Sequence, residues 1–132
     1  MHNKLGFSPA PDAYFVRAVE FFRITLKDEK LMFLVFGNDK KYNKELFDKI
    51  SSAYKESWFH YQLAPENQTA AVDLAMLSRC DHLIVTCCTY SFWAGFLLED
   101  GIVVYQRNAV PKDKEFGRTL VSRYYPASWI PL

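Results

Sequence analysis

The sequence predicts an α/β domain, a mainly parallel sheet flanked by helices. Two observations carry this. Short apolar runs ending in turn residues recur along the chain, at 31–36, 57–63, 82–86 and 101–106. Each comes after a segment whose apolar residues recur at helical spacing, so helix and strand alternate four times as αβαβαβαβ, the order that favours parallel pairing. At 132 residues the chain has one-domain length, and 1–132 is read as a single α/β domain.

Pro9 and Pro11 disfavour helix before them, and Asp12 can cap a helix starting just after it. "AYFVRAVEFFRITLKDE" predicts that helix, with Phe15, Val16, Val19, Phe22 and the residues around Ile24 on its apolar stripe and an end between Lys27 and Lys30. Next, 31–36 has no polar alternation, the habit of a strand buried on both faces, and Gly37 and Asn38 end it. "KKYNKELFDKISSAYKE" is a second amphipathic helix with Tyr42, Leu46, Phe47 and Ile50 inward. "SWFHYQL" is a weaker strand, and "PENQT" a turn or loop.

"TAAVDLAMLSRC" predicts a third helix with Val72, Leu74, Ala75, Met76 and Leu77 as its apolar surface. "DHLIVT" is a buried strand and "YSFWAGFLLE" a fourth helix. "GIVVYQ" is a further strand, with Gly101 as its leading turn. The tail is loop-rich, with room for one short helix and a terminal aromatic anchor at Trp129.

The formal net charge of +1 argues against a nucleic-acid partner, which would call for a basic excess. Cys80, Cys87 and Cys88 are odd in number, two of them adjacent, with neither a disulfide framework nor metal-ligand spacing. They read as buried free thiols. The uncharged run 83–98 is too short for a membrane-spanning helix, and the opening residues lack the apolar core of a signal peptide.

In parallel sheets ligands bind at the carboxyl ends of strands. That directs attention to the loops "GND" (37–39), "TCCTYS" (86–91) and "QRNAVPKD", from Gln106 onward. "TCCTYS" leads into a helix whose free N–H groups and dipole suit an anion. Thr89 and Ser91 either add hydroxyl donors to a phosphate or pyrophosphate there, or simply cap the helix. Neither glycine-rich phosphate fingerprint occurs.

Asp73 sits in "AVDLAML", where a carboxylate is costly to bury without a partner. It either accepts hydrogen bonds from a base or ribose or plays a structural part near the helix start. His60 and His82 are candidates for a base, but they lie in or beside strands without an evident carboxylate partner and read better as structural. Asn67-Gln68-Thr69 fits the glycosylation sequon. No Ser-His-Asp ordering or dense acidic cluster stands out.

From Asp73 onward the residues carry more than spacing. "AVDLAMLSRCDHLIVTCCTYSFWAGFL" resembles the hallmark segment of the α-1,2-fucosyltransferase family, glycosyltransferase family 11. Asp73, Leu74, Ser78, Cys80, His82, Ile84, Thr89, Ser91 and Trp93 match it, and Tyr90 and Phe92 keep aromatic positions. "FLVFGNDKKYNKELF" resembles the family's F-V-F-S-D-D segment, with Asp39 as the second acid, and "YYPASWIPL" its terminal P-x-W. Cys87 and Cys88 depart from a frequent Asn-Ser pair, and the family's H-x-R-R-G-D motif does not occur in the sequence.

The resemblance implies transfer of L-fucose from GDP-fucose to the 2-hydroxyl of a galactose ending a glycan. It implies a Rossmann-like, GT-B-type fold of which this chain is the C-terminal, donor-binding half. No metal or other cofactor is expected, nor a membrane span in this chain, and the Golgi membrane or lumen is the implied location. Inversion at the sugar requires a base, which no residue here identifies. Thr89, Ser91 and the helix start after them are expected to hold the donor phosphates, Asp73 the base or ribose, and Asp39 to shape the pocket. Without the arginine motif the chain alone is expected to transfer fucose weakly or not at all; the alternative is a non-catalytic remnant that binds a nucleotide sugar or glycan.

Overall fold

A computed structural model describes residues 10–54, 57–86, 89–107 and 125–132. Helix α1 (Asp12–Thr25) starts directly after Pro11, with Asp12 in its first turn and Arg23 in its last, both favourable to the helix dipole. The stretch 31–105 then alternates strand and helix as expected: β1 (Leu31–Val35), α2 (Lys40–Ala53), β2 (Phe59–Leu63), α3 (Ala70–Leu77), β3 (Leu83–Val85), α4 (Thr89–Leu97) and β4 (Val103–Tyr105). A last strand, β5 (Ile130–Pro131), closes the chain. Every pairing is parallel, in two ladders, β1-β2 and β3-β4-β5. The α/β class with parallel strands flanked by helices is therefore observed.

The chain divides into two compact units. One is Val19–Asp73; the other runs up to Ala18 and resumes at Leu74–Leu132. In the Val19–Asp73 unit, α2 is the crossover that parallel pairing of β1 with β2 requires. Its Leu46, Phe47 and Ile50 are buried, and Phe47 meets Tyr61 of β2 with ring centroids 5.6 Å apart. Tyr42, expected inward, is exposed, because it sits in the first turn, ahead of the stretch that meets the sheet. β1 departs from the two-sided burial expected of it. Met32 is 56% exposed and Leu34 40%, and they pair with the exposed His60 and Gln62. Only the Leu31, Phe33 and Val35 face is covered, and an apolar run cannot by itself say which face will be.

In the other unit β4 lies between β3 and β5, and Val103 and Val104 are both buried, so this strand is covered on both faces. The core is Leu83, Val85, Ala94, Val103 and Trp129, with Leu74, Leu77, Phe92 and Tyr125 packed against it. Trp129 is thus the aromatic anchor the sequence suggests. Gly101 has a φ of +151°, and a Cβ there would lie 2.0 Å from the Asp81 carbonyl oxygen, so only glycine fits this turn into β4.

Three further expectations are corrected. In α1 the buried side chains are Tyr14, Ala18, Val19 and Phe22, while Val16 and Ile24 are exposed. Hydropathy ranks Val and Ile above Tyr and Ala, but the buried face runs through 14, 18 and 22 at one-turn spacing. In α3 no residue is fully buried and Val72 is exposed; Leu74 and Leu77 alone pack on the core cluster. β5 forms where the sequence predicts loop. Two residues give no periodicity, and Pro131 is compatible with a strand because β5 lies at the sheet edge. The stretch 108–124, with room for the expected tail helix, lies outside the described residues.

Candidate functional site

The carboxyl edge of β3-β4-β5 is where the order of the elements directs a ligand. Cys87, Cys88 and the Thr89 side chain lie outside the described residues. α4 starts at Thr89, and two residues in, the Ser91 hydroxyl donates to the Thr86 carbonyl oxygen at 2.7 Å. That bond closes the loop from β3 onto the first turn of α4. It also commits the Ser91 proton, so Ser91 donates to a phosphate only by releasing Thr86.

The same edge holds two buried polar side chains, Tyr14, which sequence reading did not single out, and Gln106, which it named only as the start of a candidate loop. Tyr14, fully buried in the first turn of α1, donates from its hydroxyl to the Val85 carbonyl oxygen at 2.6 Å, with the Val104 carbonyl oxygen 3.2 Å away. Burial pushes the phenol far above its ordinary range, so Tyr14 stays a donor. Gln106 directly follows β4 and is 6% exposed. Its Oε1 has no hydrogen-bond partner among the described residues. On the β5 side the backbone is already joined, Leu132 N–H to the Tyr105 carbonyl oxygen and Arg107 N–H to the Leu132 carbonyl oxygen, both at 2.9 Å. A glutamine after an apolar strand was the available signal for Gln106; for Tyr14 there was none.

In the Val19–Asp73 unit, Asp39 and Asp73 come after the carboxyl ends of β1 and β2. Asp39 caps α2, its Oδ1 accepting the Tyr42 N–H at 3.0 Å. Lys40 Nζ donates to the Ala64 carbonyl oxygen at 3.1 Å, tying the loop after β1 to the loop after β2. Asp73 is half-buried in the first turn of α3 and accepts the Gln68 Nε2 donor at 3.2 Å. Thr69 caps that helix by accepting the Val72 N–H at 3.2 Å. Each aspartate thus has a structural partner, Asp39 in the loop after β1 and Asp73 in the first turn of α3.

The remaining titratable candidates are engaged in the fold. His82 Nδ1 accepts the Ile102 N–H at 2.9 Å, which puts the neutral ring's proton on Nε2, and His60 Nε2 pairs with the Ser57 carbonyl oxygen at 2.9 Å. Burial raises the Cys80 thiol, with the Asp81 charge adding to the effect, as for an inert cysteine. Among the described residues no three His, Cys, Asp or Glu side chains gather as metal ligands would. No helix among them is long and apolar enough to cross a membrane. A shallow cavity of about 390 Å³, lined by Arg23, Lys27, Lys30 and Trp58, lies at the amino ends of β1 and β2, away from the carboxyl edge.

The profile of the glycosyl transferase family 11 matches residues 6–131. The chain belongs to glycosyl transferase family 11. It is similar to galactoside alpha-(1,2)-fucosyltransferase 1 of Homo sapiens, 33% identical over 106 residues, and of Mus musculus, 32% identical over 104 residues. The rat protein of that name is 31% identical over 104 residues. Each match covers 79% of this chain and 26% of the relative, so the chain spans about a quarter of the length of the curated relatives it matches. No solved structure matches. The family match takes in Tyr14, Asp39, Asp73, Ser91 and Gln106.

Proposed function

We propose that this family 11 chain is the donor-binding part of a galactoside 2-α-L-fucosyltransferase, moving L-fucose from GDP-fucose to the 2-hydroxyl of a galactose that ends a glycan. The observation that carries the reading is the family match over 6–131, joined to relatives named for that reaction. The parallel α/β build supports it, because such sheets take ligands at their carboxyl ends.

In this reading the α4 N-terminus, with Thr89 and Ser91, stabilises the departing diphosphate; the helix dipole and free N–H groups favour that charge without a metal. Asp73 accepts hydrogen bonds from the base or ribose, exchanging or sharing its Gln68 partner. Asp39 shapes its loop through the α2 cap. The general base is unassigned. The Golgi membrane or lumen is the proposed location, from the family alone.

Calorimetry of the 132-residue chain with GDP and GDP-fucose tests the reading, alongside fucose transfer to a β-galactoside. Binding of both is expected, with transfer weak because the sequence holds no H-x-R-R-G-D. Absence of binding to either would remove the proposal.

A further inference from the structure

Gln106 carries an inference that deepens this reading and rests on it. Buried amide oxygens are nearly always hydrogen-bonded, and one left without a partner loses its hydration for nothing in return. Gln106 is 94% buried, from its 6% exposure, and its Oε1 lacks a partner among the described residues. Among the described residues, the other donors at this edge are already committed. The Arg107 and Leu132 N–H groups are spent on the β4-β5 junction. Tyr14, the buried hydroxyl at this edge, spends its proton on the Val85 carbonyl oxygen.

The position of Gln106 matters as much as its burial. It comes directly after the central strand of the three, at the carboxyl end, next in the sheet to the strand from which the α4 loop departs. The α4 N-terminus offers donors, which suit phosphate oxygens. Gln106 Oε1 offers an acceptor, which suits a hydroxyl and repels a phosphate oxygen. The two complement a sugar diphosphate, whose charged centre is flanked by sugar rings bearing hydroxyls. We infer that Gln106 is a donor-binding residue whose buried Oε1 accepts a hydrogen bond from a sugar hydroxyl beside the diphosphate of the nucleotide sugar.

The test compares the wild-type chain with Gln106→Met, which keeps the reach and removes the acceptor, by calorimetry with GDP and with GDP-fucose and by thermal melting without ligand. The expected result is an affinity loss of about tenfold, the worth of one hydrogen bond at a buried site. The unliganded Gln106→Met chain is expected to melt no lower than wild type, because it sheds an unmet acceptor. Loss with both ligands assigns the ribose hydroxyls; loss with GDP-fucose alone assigns the fucose hydroxyls. Unchanged affinity for both overturns the inference and leaves the proposed function standing. So does a lower melting temperature in Gln106→Met, a structural role, with Gln106→Leu melted as the second variant. A wild-type chain that binds neither ligand overturns the proposed function and the inference with it.

Discussion

Trp129 lies against Gly95 so closely that a Cβ on Gly95 would stand 2.6 Å from the indole Cη2 and 2.7 Å from Cζ2. The tail and the fourth helix are fitted to each other through that absent side chain. Trp129 is buried in the core cluster beside Phe92 and Tyr125, so it has little room to retreat. Gly95→Ala gains up to about 1 kcal/mol of helix propensity but loses about 1–3 kcal/mol to overpacking. A net loss of stability in urea melts is expected. A Gly95→Ala chain as stable as wild type would mean that the indole moves aside freely.

Tyr14 gives a second test, of the tie between the first turn of α1 and the β3-β4 edge. Tyr14→Phe keeps the ring and removes the hydroxyl that donates to the Val85 carbonyl oxygen. The expected cost is about 1 kcal/mol, the net worth of one buried hydrogen bond. Urea titration of both chains measures it. A cost near zero would assign the anchoring to the ring alone.

These two ties show where sequence reading reached and where it stopped. The alternation of helix and strand was legible because 31–36, 82–86 and 101–106 are apolar runs too short for helices. The long central motif carried the family, since Asp73, Ser78, Cys80, His82, Thr89, Ser91 and Trp93 fall in order. Burial was less legible. Met32 and Leu34 are as apolar as Phe33 and Val35, and nothing in the run itself says which pair is covered. The roles of Tyr14 and Gln106 were missed because their polar atoms matter through partners 71 residues away, for Tyr14, or through the lack of one, for Gln106. The two aspartates illustrate the converse. Their positions after strands were visible, but their present partners, Tyr42 N–H and Gln68, are turn geometry that composition does not encode.

Glu20 makes the chain's stability depend on acid. Hydrogen bonds from Arg23, then from Tyr54, lower its carboxyl from the ordinary 4.5 to about 2. Tyr54 in turn is raised by burial and by that bond, so it remains the donor. A depressed folded pKa means that the unfolded chain takes up the proton first as the pH falls. The contribution of Glu20 is therefore complete above about pH 4.5 and drains away toward pH 2. Solvent screening of this exposed cluster keeps it under about 1 kcal/mol. Urea melts of wild type and Glu20→Gln at pH 7 and at pH 2 are expected to differ at the first and nearly to converge at the second. A gap that stays constant between them would place the effect elsewhere.

Asp39 separates a structural carboxylate from one that acts on the donor. Its Oδ1 accepts the Tyr42 N–H at 3.0 Å, which satisfies one of the otherwise unpaired donors at the start of α2. Asp39→Ala removes that acceptor and is expected to cost about 1 kcal/mol. Asp39→Asn keeps an acceptor at the same reach without the charge, and thermal melting is expected to return most of the loss. The same two variants titrated with GDP-fucose divide the roles. If Asp39 shapes its loop only through the cap, affinity tracks stability, falling in Asp39→Ala and returning in Asp39→Asn. An Asp39→Asn chain with native melting and lost affinity would instead show the negative charge itself acting on the donor, and the cap would then be the lesser of its two parts.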